Sequence, residues 1–200
     1  MRFSTIISLF ALTIPAFAVP TGGDAASSGE VVPMHITLPT TDGPLELIGT
    51  YEDLIPQIQE VYPDWDPYPE VVDEKPTPTS SPNPSLVERY FKNRPTCWLV
   101  SGNSCWTWAV GQARNNLKNL PAGTMCGGPP HQCSRTTCAD GAALDLCNDR
   151  STSLSILCSR VDHASGEIAH DCQDDFDGET WTKGQWFDTT GYNVVVRRCY

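Results

Sequence analysis

Residues 96–200 predict an α+β protein, a disulfide-stapled two-layer α/β sandwich of the split βαβ kind with the order β-α-β-β-α-β-β. Three observations carry this. All nine cysteines lie between Cys97 and Cys199. Apolar residues recur at helical spacing in two separate stretches, and short strand-like runs flank turn signals between and after them. Ahead of this unit, residues 19–95 hold 13 Asp/Glu against 4 Lys/Arg and are rich in proline, so a poorly ordered acidic N-terminal region is expected.

Taken in order, Cys97 to Val100 reads as a short strand. Trp106, Ala109, Val110, Ala113, Leu117 and Leu120 then form one helical stripe, which Pro121 and Gly123 end. Met125 to Gln132 reads as a Gly/Pro loop. Cys133–Cys138 and Ala142–Cys147 flank Asp140-Gly141, a strong hairpin signal. Ser151 or Ser153 is expected to cap a second helix whose face carries Leu154, Leu157, Val161, Ala164, Ile168 and Cys172. Gly166 weakens that helix by about 1 kcal/mol without stopping it. After an acidic loop, Gln185–Asp188 and Tyr192–Cys199 flank Thr189-Thr190-Gly191 as a second hairpin.

The N-terminal part divides further. Arg2, the apolar run Ile6 to Phe17 and the small-x-small end Ala16-Phe17-Ala18 read as a signal peptide over residues 1–18. The apolar run is shorter than the about 20 residues a membrane span needs. Residues 19–74 form an acidic, Pro-rich leader or pro-segment. Within it Met34, Ile36 and Leu38, the turn Asp42-Gly43, then Leu45 and Leu47 outline a small hairpin. Thr50 with Asp53 outlines a capping box before a short helix carrying Leu54, Ile55, Ile58 and Val61, which Pro56 should limit. Weak order is the expectation for this stretch. Residues 75–95 comprise a Pro/Ser/Thr linker over 75–85, suited to O-linked sugars, and a short helix begun by Ser85 and Glu88 and ended by Pro95.

Confining the cysteines to one unit points to an oxidising compartment and to a secreted, extracellular protein. The disulfide candidates are Cys97, Cys105, Cys126, Cys133, Cys138, Cys147, Cys158, Cys172 and Cys199; nine is odd, so one stays unpaired. Cys158 and Cys172, about 21 Å apart along one helix, cannot pair with each other, and each should tie that helix to a sheet or loop. The Asp140-Gly141 register brings Cys133 and Cys147 together as a pair or as two adjacent anchors. No Cys-x2-Cys spacing supports zinc.

No catalytic, cofactor or metal residues are assigned. Gly102-Asn103-Ser104-Cys105-Trp106 starts like a nucleophile elbow but ends in Trp. His163, Glu167 and His170 share one polar helix face, which reads as a solvated surface. Asp174, Asp175, Asp177, Gly178 and Glu179 fail as a calcium loop, because Gln173 and Gly184 fall where carboxylates are required. Trp98 and Trp106 are expected in the core, whereas Trp108 points off the apolar stripe and is the candidate partner contact. A net charge of −11 without a basic stripe argues against nucleic acid as a partner.

Several pieces of the sequence resemble a known group. They are Cys133-Ser134-Arg135-Thr136-Thr137-Cys138, Ala143-Leu144-Asp145-Leu146-Cys147-Asn148-Asp149, Gly184-Gln185-Trp186-Phe187-Asp188 and Gly191-Tyr192-Asn193-Val194-Val195-Val196. Together with the spaced Cys158 and Cys172, this resembles fungal secreted cysteine-rich proteins regarded as candidate effectors, with a killer-toxin-like α/β fold. The resemblance spans about residues 96–200; the long leader, Cys126 and Cys199 depart from it. It implies a non-catalytic monomer that binds an extracellular or host target, protein or glycan. A cell-wall glycan-binding module or hydrolase and a protease inhibitor are the alternatives.

Overall fold

The computed structural model describes residues 31–69 and 94–199. The signal peptide, the Pro/Ser/Thr linker and the helix expected at Ser85 lie outside the described residues.

The described part of the leader is ordered, contrary to expectation. Strands β1 (Val32–Thr40) and β2 (Gly43–Gly49) form a hairpin with Thr40 opposite Gly43, so Thr41 and Asp42 make the loop. Helix α1 (Tyr51–Val61) follows, with the Thr50 backbone N–H donating to the Asp53 carboxylate as the capping pattern predicts. Pro56 does not end α1. Tyr51, Leu54 and Ile58 are buried along one side, and this packing carries the helix past the missing N–H. Low net hydrophobicity suggested weak order. The six side chains Met34, Ile36, Leu38, Tyr51, Leu54 and Ile58 are nevertheless fully buried, and a well-placed few suffice.

The cysteine-rich part supplies β3 (Thr96–Cys97), β4 (Cys105–Trp106), α2 (Thr107–Asn119), β5 (Met125–Gly128), β6 (Cys133–Ala139), β7 (Ala142–Asn148), β8 (Leu154–Leu157), α3 (Cys158–Asp171), β9 (Gln173–Phe176), β10 (Glu179–Thr182), β11 (Gly184–Phe187) and β12 (Tyr192–Arg198). The α/β, disulfide-stapled class is as expected; the strand order is richer. One sheet runs β3-β11-β12-β7-β6-β1-β5-β8 with β2 on β1, and a second runs β4-β10-β9. Among the described strands only the β1–β6 pairing is parallel.

Each departure has a local cause. Trp98 takes φ +66°, which turns the chain after Cys97 and cuts the first strand short. The Met125–Gln132 loop contains β5, which pairs with β1 and β8, because glycines let backbones approach closely. A Cβ on Gly127 would lie 2.1 Å from the Leu154 carbonyl oxygen. Leu154–Leu157 alternate buried and exposed as β8, so α3 starts at Cys158 and not at a serine cap. Cys172 is its C-cap. The acidic loop is the β9–β10 hairpin, with Asp177 and Gly178 at φ +54° and +78° as a two-residue type I′ turn requires.

Helices α2 and α3 pack side by side, α2 over β6 and β7, α3 over β11 and β12. Ala109, Val110, Ala113 and Leu117 of α2 and Val161, Ala164 and Ile168 of α3 join the leader's side chains in one core. Arg114 of α2 lies against Gly166, where a Cβ would come within 2.6 Å of the guanidinium, and it pairs with Asp162 at 2.8 Å. Gly166 is therefore a crossing point of the two helices.

Four disulfides join Cys97–Cys172, Cys126–Cys158, Cys133–Cys147 and Cys138–Cys199. The Cys133–Cys147 pair and the anchoring of α3 at both ends follow the expected geometry. Cys105 is the free thiol.

Candidate binding cleft

The second sheet, β4-β10-β9, and the loop from Trp98 to Ser104 border an open cleft of about 520 Å³. Trp98, Phe176 and Trp181 supply its aromatic lining. Asn103, Ser104, Asp174, Lys183 and Arg198 supply polar groups. Phe176 is 74% exposed and Trp98 39% exposed. Beside the cleft, Trp106 stacks on Trp108 with centroids 5.9 Å apart and meets Trp181 at 5.4 Å. The Arg198 guanidinium carbon lies 5.3 Å from the Trp181 ring centroid and 6.0 Å from that of Trp106, within cation–π range.

The walls are held from several directions. The Trp98 N–H donates to the Lys183 carbonyl, Lys183 Nζ donates to the Gly102 carbonyl, and the Arg198 N–H donates to the Asn103 carbonyl. Val100 is buried against Val195 and Cys147 on the sheet face away from the main core. Three bridged cysteines adjoin the lining: Cys97 precedes Trp98, Cys199 follows Arg198, and Cys172 lies two residues before Asp174. A bulky residue at positive φ is rare, and such strain persists only where surrounding contacts enforce it. Trp98 is enforced in this way.

Trp108 is exposed, as the off-stripe position predicts. Trp98 and Trp106 are not core residues: both are more than a third exposed. Trp106 precedes α2 in β4, so its side chain follows the small sheet and not the helical stripe. The signal missed was Asp177-Gly178, a hairpin turn whose recognition would have created β9 and β10, with Phe176 and Trp181 on them.

His163 lies 6.1 Å from the Trp186 ring, and His170 Nδ1 pairs with the adjacent Asp171 at 2.9 Å on the surface. Among the described residues no three His, Cys, Asp or Glu side chains converge as a metal site. The Cys105 thiol is buried, lies 3.5 Å from the Thr182 carbonyl and is pushed up to about 11 by desolvation, so it is a poor nucleophile at neutral pH.

The distinctive motif residues are structural. Asp145 is fully buried and accepts from Arg135 and Arg197 at 2.8–2.9 Å. Asn148 Nδ2 donates to the carbonyls of Gly128, Pro129 and Thr152, which ties the end of β5 and the loop after β7 to β7.

No family model matches the chain, and no curated protein or solved structure is significantly similar to it. Four disulfides, with no helix among the described residues long and apolar enough to cross a membrane, are consistent with an exported protein.

Proposed function

We propose that this chain is a secreted, effector- or toxin-like protein that acts by non-covalent recognition of an extracellular or host target, with the cleft as its contact surface. One observation carries the reading. Trp98 and Phe176 are exposed on the walls of a concavity that half-buried Trp181 also lines, and bridged cysteines flank it. Aromatic and arginine side chains in a preformed depression are the groups that dominate recognition sites. The resemblance to fungal secreted cysteine-rich proteins points the same way, and it rests on the sequence pieces alone.

The test compares wild-type full-length protein with Phe176→Ala and Trp181→Ala on host tissue or on competing fungi. A response lost in the variants, with the thermal transition retained, supports the reading. A response that both variants keep in full overturns it.

A further inference from the structure

Resting on the recognition reading above, we propose that the cleft binds the pyranose rings of an oligosaccharide. A pyranose ring presents an apolar C–H face and a rim of hydroxyls, each of which both donates and accepts hydrogen bonds. The cleft matches both halves. Trp98, Phe176 and Trp181 offer aromatic surface, and five polar residues offer donors and acceptors together: Lys183 and Arg198 donate, Asp174 accepts, and Asn103 and Ser104 do both.

Other occupants fit less well. A lipid tail would desolvate those five polar groups without returning a hydrogen bond. A phosphate chain or nucleic acid would meet Asp174 in the cleft and a protein of net charge −11 with no basic stripe. A flat protein surface would leave a concavity of about 520 Å³ unfilled, whereas that volume suits a few sugar rings.

The walls are also pre-organised. Arg198 is stacked over Trp181, Lys183 is tied to Gly102, and the lining is flanked by Cys97, Cys172 and Cys199 in disulfides. Little ordering entropy is then lost on binding, which suits weakly attractive, hydroxyl-rich ligands. Lys183 and Arg198 have no carboxylate within ion-pair distance among the described residues. Both can donate to ring hydroxyls.

The experiment titrates full-length protein with hexamers of glucose, N-acetylglucosamine and galacturonate by calorimetry, with tryptophan fluorescence as a second readout. Binding of at least one hexamer is expected. Trp181→Ala should weaken it at least tenfold, or about 1.4 kcal/mol, and Phe176→Ala several-fold. Phe176 is exposed beside a hairpin turn, so its variant folds even if Trp181→Ala does not. Tyr68→Ala is the control, an exposed aromatic beyond the opposite end of α2 that should leave affinity unchanged. Affinity for the galacturonate hexamer that falls with salt, beside none for neutral hexamers, would make the ligand an acidic pyranose; the reverse would make it neutral. Binding of no hexamer, or binding that Phe176→Ala and Trp181→Ala leave intact, overturns the pyranose assignment. If those variants still abolish the biological response, target recognition through the cleft stands and the ligand is of another class.

Discussion

Replacing Ile36 by alanine tests whether the N-terminal hairpin belongs to the folded unit. Ile36 is fully buried in β1, opposite Leu47 on one side and Cys126 on the other. Truncating a buried isoleucine costs about 2–5 kcal/mol through lost transfer energy and the cavity left behind. Ile48, on the partner strand, is 62% exposed, and its truncation should cost below about 1 kcal/mol. For a folded unit of this size, each kcal/mol moves the midpoint by about 2–4 °C. Ile36→Ala should therefore melt roughly 5–15 °C below Ile48→Ala. Calorimetry without reductant reads the difference. Two variants melting together would refute the placement of β1 in the core and return the leader to a separable segment. The outcome also bears on maturation. No cysteine precedes Cys97, so only packing and hydrogen bonds hold residues 31–69, and removing the whole of 19–95 would open the core.

Asp145→Asn leaves Arg135 and Arg197 facing a neutral amide in a buried site, and denaturant unfolding should show a loss of about 3 kcal/mol or more; a loss below about 1 would contradict the burial. Trp98→Gly should be more stable than Trp98→Ala by about 1 kcal/mol, since both remove the ring and only glycine is at ease at φ +66°; equal stabilities would deny the strain. The Cys105 pKa is higher folded than unfolded. This thiol therefore leaves stability unchanged below about pH 9, and its ionisation lowers stability as pH rises from there toward about 11, by roughly 1.4 kcal/mol per unit. Cys105→Ala should flatten that part of the curve in pH-dependent unfolding, and an unchanged slope would refute it. Removing the Cys97–Cys172 bridge with paired serines should speed hydrogen exchange at Trp98–Ser104 and Gln173–Phe176 at least tenfold while β7 and β12 stay protected; uniform acceleration would deny the bridge a local role.

What was legible follows from signals that are local in the chain. The helical stripe from Ala109 to Leu117 reports its own burial, and Asp140-Gly141 sets a register that puts Cys133 opposite Cys147. Geometry along one helix separates Cys158 from Cys172. The cleft was harder because its parts are distant in sequence. Trp98, Phe176 and Arg198 come together only through the pairing of β10 with β4 and the return of β12. Trp106 shows the ambiguity: its spacing fits the α2 stripe, yet it sits one residue before the helix and joins the small sheet. Leu154 and Leu157 likewise fit a helical period, but pairing with β5 makes them a strand, and no local rule weighs a partner thirty residues away.

Four bridges in one unit do not replace an apolar interior here; the structure divides the labour between them. A continuous core runs from Met34 in β1 through Ala113 and Ile168 to Val196 in β12, so packing and strand pairing, without a bridge, unite the N-terminal hairpin with the sheet. Cys126–Cys158 lies inside that core, where bridge and packing reinforce each other. Cys97–Cys172, which also reaches the core through Cys172, and Cys138–Cys199 adjoin the cleft, where Trp98 and Phe176 are exposed. A surface made of apolar side chains left exposed to water needs its backbone fixed by something other than their own burial. Bridges at residues 97, 172 and 199 fix it there, at the ends of the segments that carry Trp98, Asp174 and Arg198.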